Sequence, residues 1–251
     1  MQANDIDDVL DILAAIVADT KRRRDPLGYF AALYRQVTLR VRDEIALGIF
    51  EDGPRMSRFD AKFANAYFTA YDRFRRRQPT SRSWQFAFEQ ARADETIILQ
   101  DLLLGINAHV NLDLGVVTGS AFSPAALPGF RTDFDEINDV LASVIPLARK
   151  AVEEFSPSLA ELTAVGGPDL ALALNYSVDL ARDEAWRAAT LVSTVPSAVR
   201  PLLIDGLDNR TKLLGRVVAT PPEPIGTVVR RIRRAESTDV TGIITALDSL
   251  V

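Results

Sequence analysis

The sequence predicts an all-α protein, and three observations support this fold class. Apolar residues recur with the three- and four-residue spacing of amphipathic helices from one end of the chain to the other. No stretch alternates apolar and polar residues for long enough to form a convincing strand. Glycine, proline and capping residues separate the periodic segments. We therefore expect a single-domain multi-helix bundle of about 9–11 helices around a buried central helix at about residues 94–117.

The first two helices have the most clearly marked ends. One begins after Asn4 or Asp5, whose side chains can accept hydrogen bonds from the free amides of a first helical turn. The second runs from about Pro26 to Leu47. Gly48 follows it, and glycine readily adopts the left-handed conformation that ends a helix.

The third helix is predicted to begin at Ser57, because Ser57 with Asp60 resembles a capping box. Aromatic residues recur along one side of this helix. Pro79 then breaks the chain before a shorter helix that carries Trp84, and the central helix comes next.

The second half of the chain continues the helical pattern. A loop rich in glycine, serine and proline covers residues 118–129, and Thr132 with Asp135 is predicted to cap the following helix. The weakest internal division falls near residues 165–168, but the helices on either side are apolar enough to pack together. We therefore predict one all-helical domain over residues 1–251.

The composition argues against several kinds of site and partner. The formal net charge is −5, so the chain lacks the basic excess that binding to nucleic acid requires. It has no cysteine and 1 histidine, which excludes disulfides, thiolate nucleophiles and multi-histidine zinc sites. We expect no cofactor. A hard divalent ion such as Mg²⁺, held by Asp60, Asp135 and Asp139 together with His109 and Asp113, is the less favoured alternative.

The sequence predicts a cytoplasmic protein and is compatible with a homo-oligomer. The N-terminus alternates apolar and acidic residues and lacks the apolar core of an export signal. No run reaches about 18 uninterrupted apolar residues, so we expect neither a membrane span nor a membrane partner.

The central helix carries an unusual number of polar side chains for a buried segment, since residues 97–117 read IILQDLLLGINAHVNLDLGVV. On a helical wheel His109 and Asp113 lie together on one flank, four residues apart. Asn107 and Asn111 lie on the other flank. A buried polar group without a partner costs about 1–3 kcal/mol, so these side chains must be paired by protein or by a ligand.

Two interpretations of this polar pattern remain open. In the first, the side chains form an internal hydrogen-bond network. In the second, they line a pocket in which Asp113 orients His109 for general acid/base catalysis on a bound small molecule. For that pocket the candidate substrate-binding residues are Asn107, Asn111, Asn138, Asp139, Asp60, Trp84, Phe63 and Tyr67.

Four segments together carry a family resemblance: RFDAKFANAYFTAYDRF, PTSRSWQFAF, ILQDLLLGINAHVNLDLG and DFDEINDVLAS, in this order. Over roughly residues 45–155 the chain resembles a bacterial family of unknown function, number 5995. The resemblance implies an all-helical fold and no particular activity. Position 101 is often histidine in that family and is Asp101 here, so a site built on two histidines would be altered. The family pattern falls here on Asp60, Asn65, Ser83, Trp84, His109, Asn111, Asp113, Asn138 and Asp139.

The pocket interpretation favours a small-molecule enzyme that performs cofactor-independent acid/base chemistry in a mostly apolar helical pocket. Hydrolysis, elimination, isomerisation and cyclisation are all compatible with it. His109 would transfer the proton, and Asp113 would orient the imidazole. The alternative is a non-catalytic ligand-binding or interaction protein in which the same polar residues form a structural network.

Overall fold

The structure, a computed structural model, describes residues 1–159, 162 and 178–250. Most of these residues are helical and none lies in a strand, which confirms the predicted all-α, single-domain bundle. The predicted division near residues 165–168 lies outside the described residues. A π-helical segment (His109–Leu114) joins α5 to α6, and a 3₁₀ turn (Leu127–Phe130) precedes α7. In chain order the α-helices are α1 (Ile6–Arg23), α2 (Gly28–Leu47), α3 (Gly53–Arg75), α4 (Arg82–Ala93), α5 (Ile98–Ala108), α6 (Gly115–Ala121), α7 (Arg131–Phe155), α8 (Val178–Thr194), α9 (Arg200–Ala219), α10 (Ile225–Ala235) and α11 (Val240–Leu247).

The start of α1 and the end of α2 lie where the sequence predicts. Asp5 caps α1 by accepting a hydrogen bond from the amide of Asp8 at 2.9 Å. Gly48 ends α2 with a φ of 72°, the left-handed conformation in which a side chain would be strained. Local chemistry therefore determines these two boundaries.

The start of α3 differs from the prediction, because Ser57 and Asp60 do not form a capping box. Asp52 caps the helix instead, accepting from the amide of Arg55 at 2.8 Å. The Ser57 hydroxyl accepts from the amide of Ile6 at 3.1 Å and so ties α3 to α1. Asp60 consequently lies inside the helix and is buried, not at an exposed helix end.

The start of α7 also differs, because Thr132 and Asp135 do not cap it. The helix continues directly from the 3₁₀ turn, and Asp135 forms an ion pair with Arg131 at 2.6 Å. Asp133, which is fully buried, accepts from the amide of Glu51 at 2.7 Å and from a guanidinium of α3. A long-range contact therefore fixes this end of α7, which local sequence could not reveal.

The central helix is continuous over Ile98–Ala121 and comprises α5, the π-helical segment and α6. It packs against α2, α4 and α9 along α5, and against α3 and α8 further on. By length and composition alone it could cross a membrane, although the sequence predicted no span. Because 67% of its most apolar stretch is buried inside the protein, it has the environment of a core helix, as predicted.

The helix α8 lies unusually close to α6. A Cβ atom built on Gly115 would lie 2.9 Å from the carbonyl oxygen of Ala185, and one on Gly119 would lie 2.4 Å from that of Ala189. Real Cβ atoms do not approach so closely, so only glycine fits at these positions. On the other side of the bundle α7 packs against α2 and α11, and a cavity lies between α7 and α5.

Candidate functional site

A cavity of about 470 Å³ is bounded by α2, α3, the central helix and α7. The apolar face predicted for the central helix forms one wall of it, through Leu99, Leu103 and Ile106. Ile145 and Arg149 on α7 belong to the wall and are exposed, so the cavity reaches the protein surface there. Most of the lining is apolar. The polar side chains in it are Tyr34, Asp60, His109, Asn138, Arg149 and Arg182.

The π-helical segment places His109 at the cavity wall and Asp113 behind it. The His109 Nδ1 atom lies 3.2 Å from Oδ2 of Asp113, which confirms the pairing predicted from their spacing. The indole Nε1 of Trp84 donates to the same oxygen at 2.8 Å. Because that oxygen accepts from Trp84, the simplest arrangement has Nδ1–H of His109 donating to it as well. The Nε2 atom of His109 then carries a lone pair.

Burial shifts the protonation of this pair in opposite directions. It lowers the pKa of His109, because the imidazolium would lie far from water, and the neighbouring Asp113 offsets this only in part. Burial raises the pKa of Asp113, while hydrogen bonds from His109 and Trp84 act against the rise. The histidine is therefore held as a neutral imidazole at neutral pH.

Aromatic rings surround the imidazole and fix its plane. Phe63 stacks on it with ring centroids 3.7 Å apart and an interplanar angle of 8°. Tyr34 meets it edge-on at 4.6 Å, and Phe30 does so at 5.7 Å. This packing holds the ring in one orientation in surroundings of low polarity.

Three polar groups of the cavity wall have a buried atom that makes no hydrogen bond within the part of the chain that the structure describes. They are Nε2 of His109, the hydroxyl of Tyr34 and Oδ2 of Asp60. The hydroxyl of Tyr67, beside them, is unpaired as well. Each such atom costs about 1–3 kcal/mol, so their concentration at one place requires an explanation.

Asp60 is the least compensated of these groups. It makes no hydrogen bond in the described part of the chain. Burial alone raises its pKa to about 7, and no cation counteracts the rise. The carboxyl group is therefore present in both protonated and ionised forms near neutral pH.

Four of the remaining sequence-predicted residues lie in the cavity wall or close to His109. Phe63 and Asn138 line the cavity, and Trp84 contributes through Asp113. Tyr67 lies next to the imidazole, with ring centroids 6.3 Å apart, but is not part of the cavity wall.

Asn107, Asn111 and Asp139 are not brought to the cavity. The amide of Asn107 donates to the carbonyl of Thr211 at 2.9 Å, and Asn111 donates to Asn107 at 2.8 Å. These two side chains therefore fasten the central helix to α9. Asp139 is exposed on α7.

The acidic residues considered for a divalent ion do not converge. Asp135 is paired with Arg131. Asp60 lies in the cavity wall, whereas Asp135 and Asp139 do not. Over the described ranges, no three histidine, aspartate or glutamate side chains come together in a way that could hold a metal ion.

Two further residues of the family pattern support the fold. Asn65 exchanges two hydrogen bonds of 2.8 Å with the backbone of Ala3. Ser83 donates its hydroxyl to Asp208 at 2.7 Å, and Asp208 also accepts from the amides of Arg82 and Ser83. A carboxylate from α9 therefore caps the start of α4.

Sequence reasoning missed Tyr34 and Arg182. Tyr34 lies among apolar residues of α2 and has the pattern of a core aromatic, so only its hydroxyl hinted at a polar partner. Arg182 on α8 is buried in the cavity wall, donates to Oδ1 of Asn138 and lies 4.3 Å from the centre of the Phe134 ring. The position of Tyr34 in the cavity wall and the contacts of Arg182 have no local sequence signal, because they depend on residues of other helices.

A protein-family model, described as a family of unknown function (DUF5995), matches residues 6–221 of the chain. The match extends well beyond the segments at residues 45–155 that carried the resemblance, and it includes every residue of the cavity wall. Neither the curated proteins nor the solved structures contain a match to the chain.

Proposed function

We infer a function from the site itself, because the chain belongs to the family of unknown function DUF5995, whose description specifies no reaction. We propose that the protein is an enzyme that performs acid/base chemistry on a mostly apolar small molecule bound in the cavity. One observation carries the proposal. Tyr34, Asp60 and His109 line the same cavity, and each has a buried polar atom without a hydrogen-bond partner among the described residues.

In this proposal His109 is the general base. Its Nδ1–H is held by Asp113, which leaves the lone pair of Nε2 to take a proton from the substrate. As the imidazole becomes charged, the carboxylate of Asp113 stabilises it. Asp113 and Trp84 are positioning residues, since they act on the substrate only through His109.

Asp60 supplies the second proton-transfer group. Burial raises its pKa to about 7 and lowers that of His109, so the two groups are driven towards an acid and a base at neutral pH. Proton removal at one point of a substrate and proton delivery at another is the basis of isomerisation, elimination and cyclisation, and of hydrolysis when water takes part. These steps need no cofactor.

The cavity also supports the rest of the assignment. Phe63 and Asn138 are proposed substrate contacts, whereas Asn107, Asn111 and Asp139 have no place in the site. The proposed setting is the cytoplasm, with a small molecule as the partner and neither nucleic acid nor membrane involved.

The second candidate function is a non-catalytic carrier for an apolar ligand. The observation in its favour is the lining itself, which is apolar over most of its extent. In a carrier the polar groups would fix the ligand's orientation, and no bond would be made or broken.

Turnover distinguishes the two functions. We would incubate the protein with an apolar small-molecule extract of bacterial cells and follow the mixture by mass spectrometry. We expect wild-type protein to consume at least one compound and form a matching product, whereas His109→Gln and Asp60→Asn do not. Asp101→Asn is the matched control, because Asp101 is a half-buried carboxyl whose pKa burial also raises to about 7 and which lies outside this cavity. Conversion retained by both site variants, or a ligand that is retained but never converted, contradicts the enzyme and favours the carrier.

A further inference from the structure

We propose that the small molecule is an apolar amine, bound as its ammonium ion by Asp60 and the aromatic rings around it. This inference rests on the proposed function and names the class of its substrate. In the complex Asp60 is the ionised partner of the ammonium group, so the proton that is delivered is one carried by that ammonium group and not one held by the Asp60 carboxyl. It follows from three properties of the α3 side of the cavity: its unpaired carboxyl group, the lack of a neighbouring cation, and its aromatic walls.

The unpaired carboxyl group calls for a ligand that donates hydrogen bonds. Asp60 is 5% exposed, lines the cavity and makes no hydrogen bond with any of the described residues. An ionised carboxylate only accepts hydrogen bonds, and its burial becomes favourable only when a cation or strong donors pair with it. An ammonium group supplies both the charge and the donors.

Over residues 1–159, 162 and 178–250, no cationic side chain takes this role. The second carboxyl group nearby, Asp113, already accepts from Trp84 and His109. His109 is neutral at neutral pH because burial lowers its pKa. Burial raises the pKa of Tyr34, and the carboxyls of Asp60 and Asp113 raise it further, so the ionisable groups that act on this side of the cavity are acidic.

The cations of the cavity wall lie on other helices. Arg149 on α7 is exposed and pairs with Glu153 at 2.9 Å. Arg182 on α8 donates to Asn138 and to the carbonyl of Phe134. Neither contributes to the pKa of Asp60, which is set by burial alone. A ligand anion would therefore bind near Arg182, whereas a ligand cation is favoured near Asp60 on α3.

The aromatic walls suit an ammonium ion as well. Phe59 and Phe63 flank Asp60 along α3 and line the cavity, and Tyr34 reaches it from α2. A desolvated ammonium ion is attracted to the faces of such rings. The apolar body of the amine would then extend along Leu99, Leu103 and Ile106 of the central helix. About 470 Å³ is within the range of cavities that hold drug-sized ligands.

The test uses three probes with the same apolar chain: decylamine, decanol and decanoate. At about pH 8 decylamine is protonated, as a lysine side chain of pKa about 10.4 would be, and Asp60 is mostly ionised. We expect calorimetry to show decylamine binding to wild-type protein at least about tenfold more tightly than decanol, and decanoate most weakly. Asp60→Asn should remove the preference for the amine and leave decanol binding within about twofold. Asp101→Asn should keep the preference.

A second measurement needs no variant. Lowering the pH to about 5.5 protonates Asp60, so the amine must displace that proton and its advantage over decanol should shrink. Equal binding of amine and alcohol to wild-type protein, or an amine preference that survives both Asp60→Asn and the lower pH, would overturn the amine assignment while leaving a ligand-binding cavity. If none of the three probes binds, the ligand site itself is wrong and both proposals fall.

Discussion

Trp84 and His109 share one oxygen of Asp113: the indole Nε1 lies 2.8 Å from Oδ2, and the imidazole Nδ1 lies 3.2 Å from it. Trp84 belongs to α4, whose first turn is capped by Asp208 from α9. The orientation of the imidazole therefore depends on contacts that connect α4, the central helix and α9. A change at the far side of α4 can reach the cavity through this carboxylate.

Replacing Trp84 with phenylalanine tests this coupling. The variant keeps an aromatic ring but removes the indole donor, which with His109 makes up the donors to the buried Asp113 oxygen among the described residues. We expect a loss of about 1–3 kcal/mol in the free energy of unfolding, measured with urea, since a buried acceptor loses a partner. Trp186→Phe is the matched control, because Trp186 is half-buried and makes no such bond. Equal losses in the two variants would contradict a role for the indole nitrogen.

Replacing Asp60 with asparagine should stabilise the protein at high pH. The pKa of Asp60 is about 7 in the folded protein and about 4 when unfolded, so the folded state holds the proton more tightly. The contribution of Asp60 to stability is therefore most favourable below about pH 4, falls as the pH rises to about 7, and stays reduced above that value. We expect Asp60→Asn to gain up to about 4 kcal/mol at about pH 8 and much less at about pH 4, measured by urea unfolding.

Asp133→Asn is the control for that effect. Asp133 is also fully buried, but its two oxygens accept hydrogen bonds from the amide of Glu51 and the guanidinium of Arg55. Its replacement should destabilise the protein at both pH values, because it breaks an ion pair and turns an acceptor into a donor. A loss of stability for Asp60→Asn as well would show that Asp60 has a structural partner.

The single histidine gives one unambiguous NMR signal, which reports its protonation directly. Burial lowers the pKa of His109 relative to the unfolded value of about 6.5. Its contribution to stability is therefore complete above about pH 6.5 and is lost as the pH falls below that value. We expect ¹⁵N spectra at about pH 7 to show a neutral ring with the proton on Nδ1. A titration midpoint above about 6.5 would contradict the assignment of His109 as a neutral base.

Neighbouring leucines of α5 separate cavity from core. Leu103 lines the cavity, whereas Leu104 is 1% exposed and packed in the core. Leu103→Phe should fold with little change in melting temperature and should block decylamine binding, because the larger ring occupies ligand space. Leu104→Phe should lose about 1–3 kcal/mol by overpacking. Unchanged decylamine binding to the Leu103→Phe variant would place the ligand elsewhere.

Local sequence patterns were sufficient for part of this structure. The spacing of His109 and Asp113 predicted their pairing, and Asp5 and Gly48 marked helix ends, because each acts within one or two turns of the backbone. Asp60 was misread as part of a cap, since its spacing from Ser57 fits that role equally well. Burial of its carboxyl group depends on the packing of α3 against other helices, which local spacing does not encode.

The cavity itself could not be predicted from the sequence. The apolar face that lines it, with Leu99, Leu103 and Ile106, has the same periodicity as a face packed against another helix. Similarly, the position of Asn107 on the central helix fits a pocket residue, but its side chain is bonded to the carbonyl of Thr211 on α9. The partner of Asn107 is more than a hundred residues away in the chain. The cavity depends on where α7 packs, which the sequence pattern does not determine.

The π-helical segment alters the phase of the central helix. A π turn contains about one residue more than an α turn, so every position after Leu114 is rotated by about 100° from where unbroken α winding would place it. That rotation aims Gly115 and Gly119 at the backbone of α8. Deletion of one residue from this segment would restore regular α-helical geometry and place a bulkier side chain at the contact with α8. The central helix should therefore accept exchanges of residue type more readily than any change in its length.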